Sequence, residues 1–410
     1  MPEISSCRSC GSAEIRKFLS LGNMPLPTAL VTKEGLHQPE PRFPLDVAHC
    51  PECSLVQILE DVPPQQLFVD NYLYFSSFSD ELLRHSREHA LRLIEERRLG
   101  ANSLVVELAS NDGYLLKNFV EAGVPVVGID PAPGQAEAAN EAGVPTIAEF
   151  FGLELAQRVR REHGSADVVI ANNVMAHIPD PNDFVEGISH LLSDGGLLTI
   201  ENPYVRDLVE KCEFDTIYHE HFFYHSCTSI DRLMRRHGMY LMHVEYFPEL
   251  HGGTLRWHVA KRGEVSETAR QYLEDERERA ITEYSYYADF AKKVEAVREE
   301  LRLVLGGLRA EGARIAGYGA AAKGSTLANY VGIGPELVDF VVDRNVHKQG
   351  KYTPGTHIPV RPPEALLNEQ PDYVLMLTWN FRDEILAQQQ EYLKRGGRFI
   401  VPLPWPEVVA

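Results

Sequence analysis

The sequence predicts an α/β protein in which a small metal-stapled unit precedes two parallel-sheet, Rossmann-like domains. Three observations carry this expectation. Two C-x-x-C pairs, Cys7/Cys10 and Cys50/Cys53, fall within the first 53 residues. Strand-like and helix-like runs alternate from Leu104 to Glu201. A second β-α-β series begins at Arg314. At roughly 150 residues per domain, a chain of 410 residues accommodates two or three such units.

The N-terminal unit needs a staple. The stretch between its cysteine pairs is rich in loop residues (Pro25, Pro27, Pro39, Pro41, Pro44) and cannot build a large core alone. A C-x-x-C places two thiolates on one tight turn, and two turns complete a tetrahedral zinc shell. Four thiol ligands leave no open position, so Cys7, Cys10, Cys50 and Cys53 predict a structural zinc. A redox pair or buried free thiols is the plainer alternative. Cys212 and Cys227 lie far from this group and read as free buried cysteines.

Ser79-Asp80-Glu81 then offers a helix cap, and Leu82, Leu83, His85, Ser86, His89, Ala90 and Leu93 follow at helical spacing. Strands are expected at 104–109, 126–130, 167–172 and 197–201, with helices at 114–122, 135–142, 153–162 and 184–192. That β-α-β-α order predicts a parallel sheet covered on both faces. The charged run from Glu267 to Arg309 reads as one or two helices joining domains. Strands at 314–318, 338–343, 373–377 and 398–401 form the second series. The expected boundaries are 1–70, 71–262 and 263–410.

In such sheets, ligands meet the carboxyl ends of the strands. The Glu107–Gly113 turn lies between a strand and a helix, and Asp130 closes the next strand, 23 residues after Glu107. An acid there can accept both ribose hydroxyls. Only Gly113 remains of a G-x-G-x-x-G, which argues against NAD and toward S-adenosylmethionine. On that reading Glu107, Ala109, Asn111 and Gly113 approach the amino acid part, and Asp130 and Pro131 the ribose. Glu149 and Phe150 border the adenine, and Asn172 closes the third strand. An ordinary βα turn without ligand is the alternative. In the second series, Tyr318, Gly319, Ala320 and Ala321 offer backbone N–H groups at a helix start, with Lys323 as a cation; this suits a pyrophosphate. Asp343 could meet a ribose, and Asn202, beyond the fourth strand, is assigned to the substrate.

Residues 217–225 hold three histidines, a carboxylate and two tyrosines. H-E-x-x-H fails, because Phe223 stands where the second histidine belongs. Acid–base chemistry fits better, since histidine titrates near working pH and a tyrosine hydroxyl can donate to a developing oxyanion. A polar cluster capping the sheet edge fits equally well. His177 follows the third strand, where the ligand crevice is expected.

Net charge is −19, which disfavours nucleic acid and anionic membrane surfaces as partners. No apolar run approaches the ~18 residues of a membrane span, and the first residues lack a signal-peptide pattern, so a cytoplasmic protein is expected.

The four-cysteine unit, the Glu107–Gly113 turn, the Tyr218-His219-Glu220-His221 run and the Gly317–Gly324 turn together resemble the sugar C-methyltransferases. These act on nucleotide-linked 4-keto sugars in deoxysugar pathways such as that leading to tetronitrose. The resemblance spans essentially the whole chain, in order. It implies a zinc domain, a class I S-adenosylmethionine-binding methyltransferase domain, and a C-terminal Rossmann-like domain that grips the nucleotide diphosphate of a dTDP-type sugar. It also implies catalytic roles for Tyr72, His177, Tyr218, Glu220 and His221, with Tyr74 a rival to Tyr72.

The implied chemistry begins with neutral His221 taking the proton at C3, next to the C4 ketone. Tyr218, Glu220 or His177 lies by the ketone oxygen or orients His221. The carbanion then attacks the sulfonium methyl. An O- or N-methyltransferase, or a non-catalytic nucleotide-sugar module, stays open at this point. A monomer is expected, because two such domains can close their own cleft.

Overall fold

Three sheets organise the chain in the computed structural model, which describes residues 4–60, 62, 75–78, 80–250 and 252–409. The first sheet is antiparallel and built from β1 (Arg16–Pro25), β2 (Arg42–His49), β3 (Val56–Ile58) and β9 (Phe223–Tyr224). Leu19, Leu21, Leu45, Val47 and Ile58 form its buried side. The fourth strand comes from the histidine-rich segment more than 160 residues downstream, which pairs Val56 with Tyr224 and Gln57 with Phe223.

The second sheet has the order β10-β11-β8-β7-β4-β5-β6. Its parallel part comprises β4 (Val105–Leu108), β5 (Val126–Ile129), β6 (Thr146–Ile147), β7 (Ala166–Asn172) and β8 (Leu192–Pro203). Strands β4 and β5 are buried at every residue, as strands covered on both faces should be. The expected first strand stops at Leu108 because Ala109 turns to φ +57°. The helix expected from 114 shortens to Lys117–Glu121, while Tyr114, Leu115 and Leu116 turn into the core. β10 (Tyr240–Phe247) and β11 (Thr254–Ala260) were not anticipated; β11 runs antiparallel to both neighbours. His243, Glu245 and Arg256 interrupt their apolar pattern.

The Asp80–Arg97 helix lies across β8, β11 and β10. His85 and Arg256 both reach Glu201, and Arg92 grips Glu245 through two bonds of 2.6 and 2.7 Å.

The third sheet has the order β14-β13-β12-β15-β16-β17. β12 (Ile315–Tyr318), β13 (Val341–Val342), β14 (Val360–Arg361), β15 (Tyr373–Met376) and β16 (Arg398–Val401) are parallel; β17 (Glu407–Val409) is antiparallel. In both larger sheets the strand order reverses beside the first strand, at β4/β7 and β12/β15. Each reversal opens a ligand crevice. Two helices join them, Glu267–Glu278 and Tyr284–Ala310, broken where Ala280 adopts φ +58°. The second helix buries Tyr287, Phe290, Val294, Val297, Leu301 and Leu305; Tyr287 stacks on His49 of the first sheet with ring centroids 4.9 Å apart.

Candidate active site

At the first crevice, left-handed backbone at Ala109 (φ +57°), Asn111 (φ +50°) and Gly113 (φ +76°) curls the β4 turn tightly. Two of these positions carry side chains, so the glycine signature is missing while the turn it encodes is present. A Cβ on Gly113 would meet Val144 at 3.0 Å. Asp130 holds the turn: Oδ2 accepts from the Asn111 N–H (2.8 Å) and Oδ1 from the Ala132 N–H (2.9 Å). Pro131 lies between these contacts. Ser76 N–H donates to Asn111 Oδ1 at 2.9 Å, which brings the 76–78 turn against the crevice.

The crevice is acidic. Burial, with Asp130, Asp112 and Glu201 nearby, pushes the Glu107 carboxyl well above the usual range. Burial also raises Asp130, against the pull of its two backbone N–H partners. Glu201 is the exception. Burial would raise it, but Arg256 and His85 outweigh that and hold it at about 2. Glu107 Oε2, Asn172 Oδ1 and Asn202 Oδ1 are buried without a hydrogen-bond partner among the described residues. One carboxylate and two amide oxygens without partners at the carboxyl edges of β4, β7 and β8 fit a donor-rich ligand. At the far end Phe150 is 43% exposed, and Glu149 pairs with Arg158.

The histidine-rich segment lies between the two larger sheets. His221 Nδ1 is 2.9 Å from the Thr216 carbonyl, which can only accept. Nδ1 therefore carries a proton, and in the neutral ring Nε2 is the basic nitrogen. The His221 ring lies 4.7 Å from His177 and 4.0 Å from Tyr218 between centroids. Burial lowers His177 to about 4, so it is neutral near pH 7. Glu220 is 4% exposed; burial raises it to about 7, and Thr28 Oγ1 donates to its Oε1 at 2.7 Å. His219 instead points its Nε2 at the Pro44 carbonyl, 3.0 Å away, and is structural. Tyr72 and Tyr74 lie outside the described residues.

The second crevice repeats the first. Asp343 Oδ2 accepts from the Ala320 N–H and Oδ1 from the Asn345 N–H, both at 2.8 Å. This matches Asp130 atom for atom, a likeness not visible in the residue types. Gly319 takes φ +97°, and a Cβ there would meet Thr378 at 2.4 Å. Ala321 caps the Ala322–Val331 helix. Tyr318 is 5% exposed, because strand alternation sends its ring into the core with Phe340, Val342 and Met376. Only its backbone reaches the turn. Lys323 lies 5.0 Å over the Trp379 ring, and Asp215 and Glu213 attract it while burial lowers its pKa. Trp379 Nε1 donates to Asp215 Oδ2 at 2.7 Å. Asp215 belongs to the Phe214–Thr216 turn, whose Thr216 carbonyl holds His221, so the second crevice abuts the histidine site.

The four cysteine sulfurs of the first unit lie within 4.8 Å of one another. Cys7, Cys50 and Cys53 are buried and Cys10 is half-buried. Four converging thiols, with no fifth donor among the described residues, fit structural zinc. Thr28, Thr216 and Asp215 were not foreseen, because their roles come from contacts across the fold and no local spacing announces them. No described helix is long and apolar enough to cross a membrane.

Fold and site together define an S-adenosylmethionine-dependent methyltransferase. Residues 7–68 match a zinc binding domain, 80–244 a methyltransferase domain and 249–404 a C-methyltransferase C-terminal domain. Over 410 residues, 99% of this chain and 97% of the relative, the sequence is 38% identical to the C-methyltransferase NovU of Streptomyces niveus. The chain belongs to this C-methyltransferase family. A ubiquinone biosynthesis O-methyltransferase of Ralstonia nicotianae is 33% identical over 100 residues, 23% of this chain and 41% of that protein. Magnesium protoporphyrin IX methyltransferase of Synechocystis PCC 6803 shares 14% identity and a TM-score of 0.36, over 48% of this chain and 92% of its own; so slight a likeness carries no argument. Carbon methylation thus replaces the O-methyl, N-methyl and non-catalytic alternatives.

Proposed function

We propose that the enzyme methylates C3 of a nucleotide-linked, dTDP-type 4-keto-deoxysugar. The observation that supports this reading is the Nδ1–H of His221 committed to the Thr216 carbonyl, which makes Nε2 the basic nitrogen of the neutral ring. A carbon nucleophile needs such a base and an adjacent carbonyl, because an unactivated C–H offers no electron pair.

His221 Nε2 takes the C3 proton, and the C–H electron pair moves into a C3–C4 enolate. Tyr218, His177 or Glu220 donates toward the C4 oxygen as charge develops there. A neutral His177 and a Glu220 raised to about 7 suit that duty better than fully charged groups. The methyl donor, when bound, supplies an electrophilic methyl carbon. Glu107, Asn111, Asp130 and Asn172 would hold it, and the acidic crevice favours its positive charge. The Ala321 N–H at the start of the Ala322–Val331 helix and Lys323 would take the diphosphate, since the Gly319 and Ala320 N–H groups are given to the Val342 carbonyl and to Asp343 Oδ2, and Asp343 would take the ribose. Tyr72 is assigned with the catalytic set by resemblance alone. The reading takes the enzyme as a cytoplasmic monomer, which light scattering checks for the oligomeric state.

The test is product analysis with a dTDP-4-keto-deoxysugar and labelled S-adenosylmethionine. A new carbon–carbon bond at C3 supports the reading; label at another carbon, or no turnover of any 4-keto sugar, overturns it.

A further inference from the structure

A loop of the zinc unit meets the histidine-rich segment through the Thr28 side chain. This 26–31 loop follows β1 and meets the third domain: Val31 and Tyr352 exchange backbone bonds of 2.9 and 2.8 Å. Glu40 accepts from the Gly355 N–H at 2.8 Å, which ties down the far side of the same insert. Thr28 stands on the same loop, three residues before Val31. Its residue is exposed, yet its hydroxyl donates to a carboxylate that is 4% exposed, Glu220 Oε1, at 2.7 Å. An exposed threonine contributes little to a core, so burial does not account for this bond. Glu220 adjoins His221 in sequence, and its other neighbour is fixed as well, since His219 Nε2 donates to the Pro44 carbonyl at 3.0 Å. A hydrogen bond to one carboxylate oxygen fixes the plane of the group and so the direction of the other oxygen.

We propose that Thr28 is a positioning residue for carbon methylation, setting the Glu220 carboxyl beside the His221 base from the zinc unit's loop. Thr28 does not touch the reacting atoms; it acts through Glu220. The inference rests on the reading of Glu220 and His221 given above.

The test uses full-length enzyme carrying Thr28→Val, which keeps the shape and removes the hydroxyl, and Thr28→Ser, which keeps the hydroxyl. Thr28→Val should lower kcat about tenfold with both KM values changed less than about twofold. It should slow exchange of the sugar's C3–H with D2O, measured with S-adenosylhomocysteine present, by the same factor. Thr28→Ser should recover most of both. In a Glu220→Gln background, Thr28→Val should add little, because the two act as one unit. Wild-type kcat in Thr28→Val overturns the proposal, as does an undiminished tenfold loss in the Glu220→Gln background or a Thr28→Ser as slow as Thr28→Val. Full activity in Glu220→Gln alone would instead remove Glu220 from the site, and the role of Thr28 with it. A melting temperature for each variant separates these outcomes from loss of fold, with Thr28→Ala as a second removal of the hydroxyl.

Discussion

His221 shows how a single backbone acceptor decides chemistry. The Thr216 carbonyl can only receive a proton, so the imidazole presents its basic nitrogen at the other edge. His221→Ala should lower turnover by at least ~10²-fold, the usual range of general-base catalysis, while calorimetry shows S-adenosylmethionine bound as before. Asp130 works differently. Both of its oxygens are engaged by backbone N–H groups of the Asn111 and Ala132 region. Asp130→Ala should therefore weaken cofactor affinity by about tenfold or more, through the turn's shape as well as any ribose contact. Unchanged affinity would exclude both roles. At this scale the sequence was informative where chemistry is dense, as at 218–221. It was silent where a role is conferred from afar: nothing near Thr28 or Asp215 hints that one meets Glu220 and the other Trp379.

Among the elements, legibility followed length and locality. The four-residue strands β4 and β5 announce themselves by continuous burial. Strands of two residues, β6, β9 and β14, carry no periodicity and arise from pairing partners elsewhere in the chain, whereas β13 is the two-residue remainder of the strand expected at 338–343. β11 was hidden because it buries Arg256, at 2% exposure, against Glu201. That pair has a pH signature. Glu201 stands near the ordinary value of 4.5 when unfolded and at about 2 when folded. Its stabilising effect is thus complete above pH 4.5 and is lost as pH falls toward 2, on the order of 3 kcal/mol in all. The melting temperature of the wild type should fall more steeply below pH 4.5 than that of Glu201→Gln, whatever their absolute values. Arg256→Met, which leaves the buried Glu201 carboxylate with His85 alone, should cost about 3 kcal/mol in denaturant unfolding.

Across the whole molecule, the expected division into three consecutive units is crossed by one strand. β9 belongs to the histidine-rich segment proposed as catalytic yet completes the sheet that carries the cysteines, and Phe222 N–H donates to the Ala176 carbonyl beside His177 at 2.7 Å. Cys50→Ser should therefore do more than reduce zinc content in elemental analysis. It should also reduce turnover by about tenfold or more, with cofactor affinity retained, since β3 then frames the base less firmly. Loss of zinc at full activity would separate the two. The net charge of −19 bears little on a single crevice, because the potential there is set by the groups that line it.

The shared sheet also bears on how such an enzyme can be cut or recombined. A fragment that starts after the cysteines would carry every residue assigned to the methyl donor, yet leave Phe223 and Tyr224 with an unpaired edge where Val56 and Gln57 belong. Swapping the leading sixty residues between relatives would thus graft a new wall onto the reaction chamber and retune the catalyst, even though no atom of the chemistry is exchanged.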